Sequence, residues 1–447
     1  MLYDKSISTI CENGKRLTLI GLTIPLLLEG IFGLLYGTVN TVILSGYSDM
    51  AVSATGVAQS ISSLSNTVLN MVSKGTVILA SVAMGSGDTN RVRSIAGTGM
   101  FLMLSCSMLL ATVLVAFSNE IMQLMGLSGQ LHEIAVSYLR TIGIILPITA
   151  MFSYVNNLLI CYGYSKVTML CGLLSNVLNV FLCWFALYSN VSLPITGVVA
   201  VAVCTGIAQT MALAIMTYFF FRKRCLFRFA FLKKEALQIV KFGAPAGMSL
   251  ISYSLSSTIT TSFITGLGVA AINTKIYLIS ILNYTNKISF SLGNAGGILI
   301  GRHRGAGRFD SIKRLYRQNI RIAIICNMIV SMVVLIFHRQ LLSIFTDDPN
   351  IIAAGGILVL IDFAVEIPRA INHISEYAFN STGEVYTPLI TATISAWLCN
   401  VLMSYIFVVV LGWALIGIWL AMIIDELFKA VVYLRRWRVG KWQGIRL

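Results

Sequence analysis

Predominantly apolar runs of about 20 residues, long enough for a helix to cross a hydrocarbon core, recur along this chain from end to end. About twelve can be counted, at roughly 17–44, 51–83, 94–118, 131–161, 167–189, 194–221, 238–266, 268–300, 312–338, 350–380, 386–411 and 414–434. A transmembrane β-barrel would instead show alternating segments of about ten residues. The pattern therefore predicts an all-α polytopic membrane protein. Charge agrees: 11% of the 447 residues are Asp, Glu, Lys or Arg, against about 25% in a soluble domain.

The opening stretch, MLYDKSISTICENGKR, has neither the apolar run nor the small-residue cleavage site of a signal peptide. The first span is expected to be retained. Nine scattered cysteines without a CxxC pair read as small apolar packing residues, not as metal ligands or a disulfide framework.

A net charge of +15 invites a nucleic-acid partner, but its distribution argues against one. The cations fall in alternate loops: Lys5, Lys15 and Arg16; Arg91 and Arg93; Lys166; Arg222 to Lys234; Arg302 to Arg321; Arg435 to Arg446. The intervening loops hold Asp49, Glu120, Glu133, Asp347 and Asp348, with Arg339 the one clear cation. This is the positive-inside pattern of a multi-pass protein of the cytoplasmic membrane with both termini in the cytoplasm, which requires an even number of spans. The implied partner is a lipid bilayer, with no nucleic acid.

The chain also matches itself at a near-constant shift, the one that carries Pro25 onto Pro245. The same shift brings TVNTVILSG (38–46) onto TITTSFITG (258–266) and GSGDTNRVR (85–93) onto GAGRFDSIK (305–313). Pro147 meets Pro368 one position further on, Gly163 meets Gly383, and TGVVA (196–200) meets IGIWL (416–420). A near-constant offset along six spans indicates duplication. Six spans is an even number, so both halves insert with one orientation, as parallel repeats about an axis along the membrane normal. The expected organisation is an N-terminal six-helix lobe at 1–221, a basic cytoplasmic linker at 222–237 and a C-terminal six-helix lobe at 238–447, with a cavity between the bundles. Such an arrangement favours a transporter over an enzyme.

No GxxxxGK[ST] phosphate loop is present, and His132, His303, His338 and His373 show no metal-site spacing. GSGDTN and GAGRFD resemble phosphate-cradling loops, but each joins two spans and reads as a tight turn using glycine's free φ. No resident cofactor or metal is expected. What remains is secondary transport driven by an ion gradient.

Residues three and four apart share a helix face. In span 10, Asp362, Glu366, Arg369, His373, Glu376 and Asn380 share one. That face cannot look at lipid, where a central charge costs at least about 2.5–3.5 kcal/mol. Pro368 also frees the carbonyl of Ala364 from its helical bond. An internal Glu366–Arg369 salt bridge would account for that pair alone, leaving Asp362 and His373. Elsewhere span 1 aligns Glu29, Tyr36 and Asn40; span 2 aligns Gln59, Ser63, Asn66 and Asn70; span 8 aligns Asn283, Lys287 and Asn294. Serine and threonine stripes such as that of span 7 read as interhelical packing. Lys287, halfway along its span, is too deep to snorkel and should approach a carboxylate, Glu366 or Asp362, or share a cavity with substrate.

These residues resemble the MATE family, the multidrug and toxic-compound extrusion transporters. The resemblance covers nearly the whole chain and rests on IPLLLEGIFGLLYGTVNTVILSGYS, AMGSGD, ILIGRHRGAGR, EIPRAIN and GIWLAMIIDELFKAVVYLRRWRVGKW. It implies twelve transmembrane helices in two pseudo-symmetric lobes. It also implies export of small amphipathic, often cationic compounds against entry of protons or sodium. Two acids usually carry coupling in such proteins, one in the first helix and one in the tenth. Glu366 fits the second. The first position is Asn40, which cannot exchange a proton near neutral pH; Glu29, on the same face, is the alternative. Glu366, Asp362 and Glu29 are thus the ion-coupling candidates. Arg369 and His373 would tune Glu366, and Tyr36, Asn40, Asn66, Asn70, Asn283, Lys287 and Asn294 would join them in lining the substrate cavity. The protein is expected to be a monomer. A flippase of lipid-linked sugars is kept open by Lys74, Lys275 and Lys287, and an integral membrane enzyme would need a catalytic cluster at one membrane face.

Overall fold

The structure, a computed structural model, describes residues 8–12, 15–188, 197–223, 225, 227–228, 230–264 and 267–445. Lys5, Thr196, Arg224, Thr265, Gly266 and Arg446, and the side chains of Lys15, Arg16 and Asp49, lie outside what is described. An antiparallel hairpin of β1 (Thr9–Glu12) and β2 (Lys15–Thr18) pairs Thr9 with Thr18 and comes first. Hydropathy gives no sign of these strands, although Asn13–Gly14 between them is the dipeptide that two-residue hairpin turns favour.

Among the described residues fourteen helices follow, the last succeeded by a single 3-10 turn (Lys441–Gly444). In the first half they are α1 (Leu19–Ser45), α2 (Asp49–Gly85), α3 (Thr89–Ala116), α4 (Ser118–Leu124), α5 (Gly129–Cys161), α6 (Ser165–Tyr188) and α7 (Gly197–Arg222). In the second they are α8 (Lys233–Ser262), α9 (Val269–Gly305), α10 (Phe309–Ile336), α11 (His338–Ser343), α12 (Pro349–Ser381), α13 (Tyr386–Val410) and α14 (Ala414–Val439). Only α4 and α11 are short. The other twelve run from 24 residues in α6 to 37 in α2 and α9. At 1.5 Å per residue even α6 exceeds a hydrocarbon core of about 30 Å. Among the described residues nine of the twelve are apolar enough to be recognised as spans by composition alone. The remaining three, α8, α9 and α14, hold more polar and charged residues, including Lys275 and Lys287 in α9 and Asp425, Glu426 and Lys429 in α14. The fold is twelve transmembrane helices in two pseudo-symmetric six-helix lobes.

The duplication is visible in the helix bounds. The shift that carries Pro25 onto Pro245 also carries both ends of α2, α3 and α5 onto the ends of α9, α10 and α12. Even the short helices α4 and α11 begin at matching places, Ser118 and His338. The turns repeat as well: Gly87 and Gly307 have φ of 76° and 70°, a left-handed conformation that a Cβ would strain. Asp88 then caps α3 by accepting from the backbone N–H of Arg91 at 2.9 Å. The tight-turn reading of both glycine loops holds.

Contacts divide the chain into two compact units. One holds the described residues of Met1–Thr23, Met84–Gly87 and Pro245–Leu447; the other holds Ile24–Ala83 and Asp88–Ala244. In the first unit a buried apolar cluster around Trp419, Leu358, Leu278 and Ile264 fills the space between helices. At one end of that unit an aromatic stack closes the bundle. The Trp437 ring lies 4.0 Å from Tyr316, 4.6 Å from Trp442 and 5.3 Å from Phe379. The Arg304 guanidinium donates to the carbonyls of Trp442 (2.8 Å) and Ile445, tying the segment after α14 to the end of α9.

Candidate functional site

The charged face of α12 folds inward. Glu366 is 0% exposed and Asp362 1%. Both carboxylates meet one guanidinium. Arg369 donates to Oδ1 and Oδ2 of Asp362 at 3.2 and 3.4 Å, and to Oε1 of Glu366. Spacings of seven and three put both acids on the arginine's face, and a forked, always-charged side chain serves two acceptors at once. The second oxygen of Glu366 accepts from Asn327 on α10 at 2.7 Å, and Asn327 accepts in turn from Ser289 on α9 at 3.2 Å. α12 continues through Pro368. Glu366 and Arg369 do form the simple salt bridge, but Asp362 shares it, so the cluster carries one negative charge in excess when all three groups are ionised.

A second cluster adjoins the first and was not anticipated from sequence. On α14, Lys429 Nζ lies 2.9 Å from Asp425 Oδ2 and 2.9 Å from Glu426 Oε1. Asn372 of α12 donates to the Glu426 carboxylate at 2.6 Å and to its backbone carbonyl at 2.8 Å. Ser395 of α13 donates to the Asp425 carboxylate, at the start of a π-helical stretch (Ser395–Leu402). Such widened turns interrupt the regular ladder, frequently at functional sites. This cluster, too, has two carboxylates and one base. The signal in the sequence is DELFK (425–429), three charges within about one turn of an otherwise apolar span.

The N-terminal lobe is different. A cavity of about 540 Å³ lies between α1, α2, α5 and α7. Its wall includes Tyr36, Asn40, Gln59, Asn66, Thr149 and Gln209, and none of its described lining residues is charged. Tyr36 donates to Asn179 at 3.1 Å, Asn179 donates to Thr205 at 2.8 Å, and Thr149 donates to Gln209 at 2.6 Å. The Oδ1 of Asn40 is buried with no hydrogen-bond partner among the described residues. Tyr138 and Thr149 of α5 and Thr205 and Gln209 of α7 escaped the sequence reading; the last two are four apart and share a face, but no charge on either helix face marks them.

The remaining candidates scatter. Glu29 is held by neutral partners, accepting from Asn156 at 2.8 Å and from Thr168 at 3.5 Å, and does not line the cavity. Tyr36, Asn40 and Asn66 line it; Asn70 is half-buried further along α2 and does not. Asn283 is exposed and Asn294 half-buried on α9. Two expectations need correction. Lys287 is half-buried and, among the described residues, forms no ion pair with Glu366 or Asp362, because Arg369, on the acids' own helix, already takes both. Among the described residues His373 forms no hydrogen bond or ion pair with Glu366; its ring lies on Phe290 with centroids 4.2 Å apart.

Twelve long helices in two repeats, with a polar cavity in one and buried charge in the other, define a polytopic membrane transporter. The MatE family profile matches residues 25–185 and 245–406, and the chain belongs to that family. Among its relatives, the uncharacterized transporter YisQ of Bacillus subtilis (strain 168) is 29% identical over 433 residues, covering 96% of this chain and 95% of that one. The probable multidrug resistance protein NorM of Thermotoga maritima is 26% identical over 441 residues, covering 96% and 93%. Two solved structures share the fold at 19% identity and cover 96% of both chains. An outward-facing multidrug resistance MATE family transporter of the MOP superfamily superposes with a TM-score of 0.88. A MOP superfamily transporter from Pyrococcus furiosus, described as having a binding pocket of reverse polarity that suggests a different function, superposes at 0.87.

Proposed function

We propose that this protein is a secondary antiporter that exports small amphipathic organic compounds in exchange for protons or sodium ions. Ion coupling lies in the C-terminal lobe, at Glu366 and Asp362, and the solute enters the cavity of the N-terminal lobe. The observation that carries this reading is Glu366, fully buried, sharing Arg369 with Asp362. A buried charge without full compensation is costly. A monovalent cation or proton that neutralises the excess relieves that cost and leaves again when water returns. Exchange then requires only that ion and solute favour opposite conformations. The names of the NorM relative and of the outward-facing transporter support multidrug export.

The same reading places the protein in the cytoplasmic membrane as a monomer with both termini in the cytoplasm, and divides it at the basic segment 222–237. The direct test is solute transport by purified protein in proteoliposomes, with proton and sodium gradients imposed separately. Uphill solute movement under one gradient and not the other identifies the ion. Solute flux indifferent to both overturns the antiport reading.

A further inference from the structure

We infer that the cavity of the N-terminal lobe takes an uncharged, hydrogen-bonding organic solute and refuses cations; this rests on the reading above that solute enters there. The cavity's neutrality is not imposed by the fold. Ile142, Thr149, Thr205 and Gln209 all line it. At the offset of the internal repeat, their counterparts are Asp362, Arg369, Asp425 and Lys429, charged members of the two clusters in the other lobe. One scaffold therefore carries four charges in one lobe and none at the same four positions in the other.

What the cavity offers is amide and hydroxyl chemistry. Thr149 and Gln209 bond one another, and Tyr36, Asn179 and Thr205 form a chain. Asn40 adds a buried carbonyl oxygen with no donor among the described residues. That oxygen suits a hydroxyl or amide hydrogen of a solute, and leaving it unmet costs free energy. Leu44, Val52, Ile145 and Val201 supply apolar wall for the solute's body. A permanent cation would leave water for a site with no counter-charge on its described walls. Tyr36 and Tyr138 are the aromatic faces available to compensate it. The acid of α1, Glu29, lies seven positions before Tyr36, about two turns or roughly 10 Å along the axis, and already accepts from Asn156 and Thr168.

The test uses full-length protein in proteoliposomes and two fluorescent probes built on one coumarin body, one bearing a glucoside and one a trimethylammonium group. The wild type should take up the glucoside at least about tenfold faster than the cation, the least that desolvating an unpaired charge implies. Asn40→Asp, which adds one negative charge to the wall, should admit the cation and narrow or reverse that ratio. Cation uptake by the wild type that equals or exceeds glucoside uptake overturns the inference. Refusal of both probes also counts against it, because an open amide-lined cavity of this size has no ground to exclude the glucoside. Failure of the underlying reading shows separately, through Gly56→Trp. Gly56 lines the cavity and a Cβ there meets nothing within 4 Å, so a large side chain at this position begins in open space on the cavity wall. Glucoside uptake that survives this substitution means solute does not pass through the cavity, whatever its charge.

Discussion

Arg369 and Thr149 stand at equivalent places in α12 and α5, helices that the repeat offset superimposes end to end, and they bind opposite kinds of neighbour. Arg369 holds two carboxylates of its own helix, while Thr149 donates to the neutral Gln209. Duplication supplied one bundle twice, and substitution at matching positions made one copy a buried charge cluster and the other an uncharged cavity. On the proposed reading the two lobes serve the two sides of an exchange, ion in one and solute in the other.

Stability should depend on the arginine. Arg369→Met leaves Asp362 and Glu366 buried together without a base, and breaking a buried pair by removing one partner costs about 3–5 kcal/mol. A clear fall in the thermal unfolding temperature in detergent is expected. Adding Asp362→Asn and Glu366→Gln removes the stranded charges and should recover most of the loss. A single variant that melts with the wild type would mean that Arg369 does not hold the cluster.

Lys287 should behave differently. It has no ion pair among the described residues, so Lys287→Gln strands no carboxylate. Its melting temperature should stay near that of the wild type, within about 0.5 kcal/mol as for substitutions away from structural networks. A loss comparable to that of Arg369→Met would reveal a partner for the lysine.

The aromatic stack at the end of the second repeat makes a third expectation. Trp437 packs on Tyr316, Trp442 and Phe379 at once. Truncating so large a buried ring costs about 3–5 kcal/mol. Trp437→Ala should lower the unfolding temperature and expose the segment after α14 to limited proteolysis. Protease resistance equal to that of the wild type would show that Arg304 and the Phe309–Trp442 contact fix that segment without the Trp437 ring.

Lys429→Met is the α14 counterpart of the arginine variant. It strands Asp425 and Glu426, and the loss should again be about 3–5 kcal/mol, read in the same unfolding measurement. Asp425→Asn in that background should restore part of it. No loss would mean that Ser395 and Asn372 satisfy the two carboxylates without the lysine.

Much of this was legible because its signals are local. Twelve apolar runs announce twelve helices, and Asp362, Glu366 and Arg369 share a face by spacing alone. Repeated glycines such as Gly87 and Gly307 mark the duplication because a left-handed turn tolerates few other residues. Other features depend on which helices meet. Thr149 and Gln209 carry no charge to mark them until α5 packs against α7. Helix periodicity places Lys287 on the face of Asn283 and Asn294 but does not say whether an acid waits opposite. Arg369, nearer in sequence, had already claimed both carboxylates. The DELFK cluster was legible in principle, since Asp425 and Lys429 are four apart, but it sits close to the basic end of the last span and passes for part of it.

The central claim, that the ion couples in the C-terminal lobe, is tested most directly by uphill solute uptake into proteoliposomes carrying wild type, Glu366→Gln or Glu29→Gln, with Glu133→Gln as control. Glutamine keeps the size and most of the hydrogen bonding of each side chain and removes its charge. Glu366→Gln should insert and fold yet lose gradient-driven uptake, while Glu29→Gln and Glu133→Gln retain it. Full gradient-driven uptake by Glu366→Gln, together with its loss in Glu29→Gln, would move the coupling site to the N-terminal lobe and contradict the assignment.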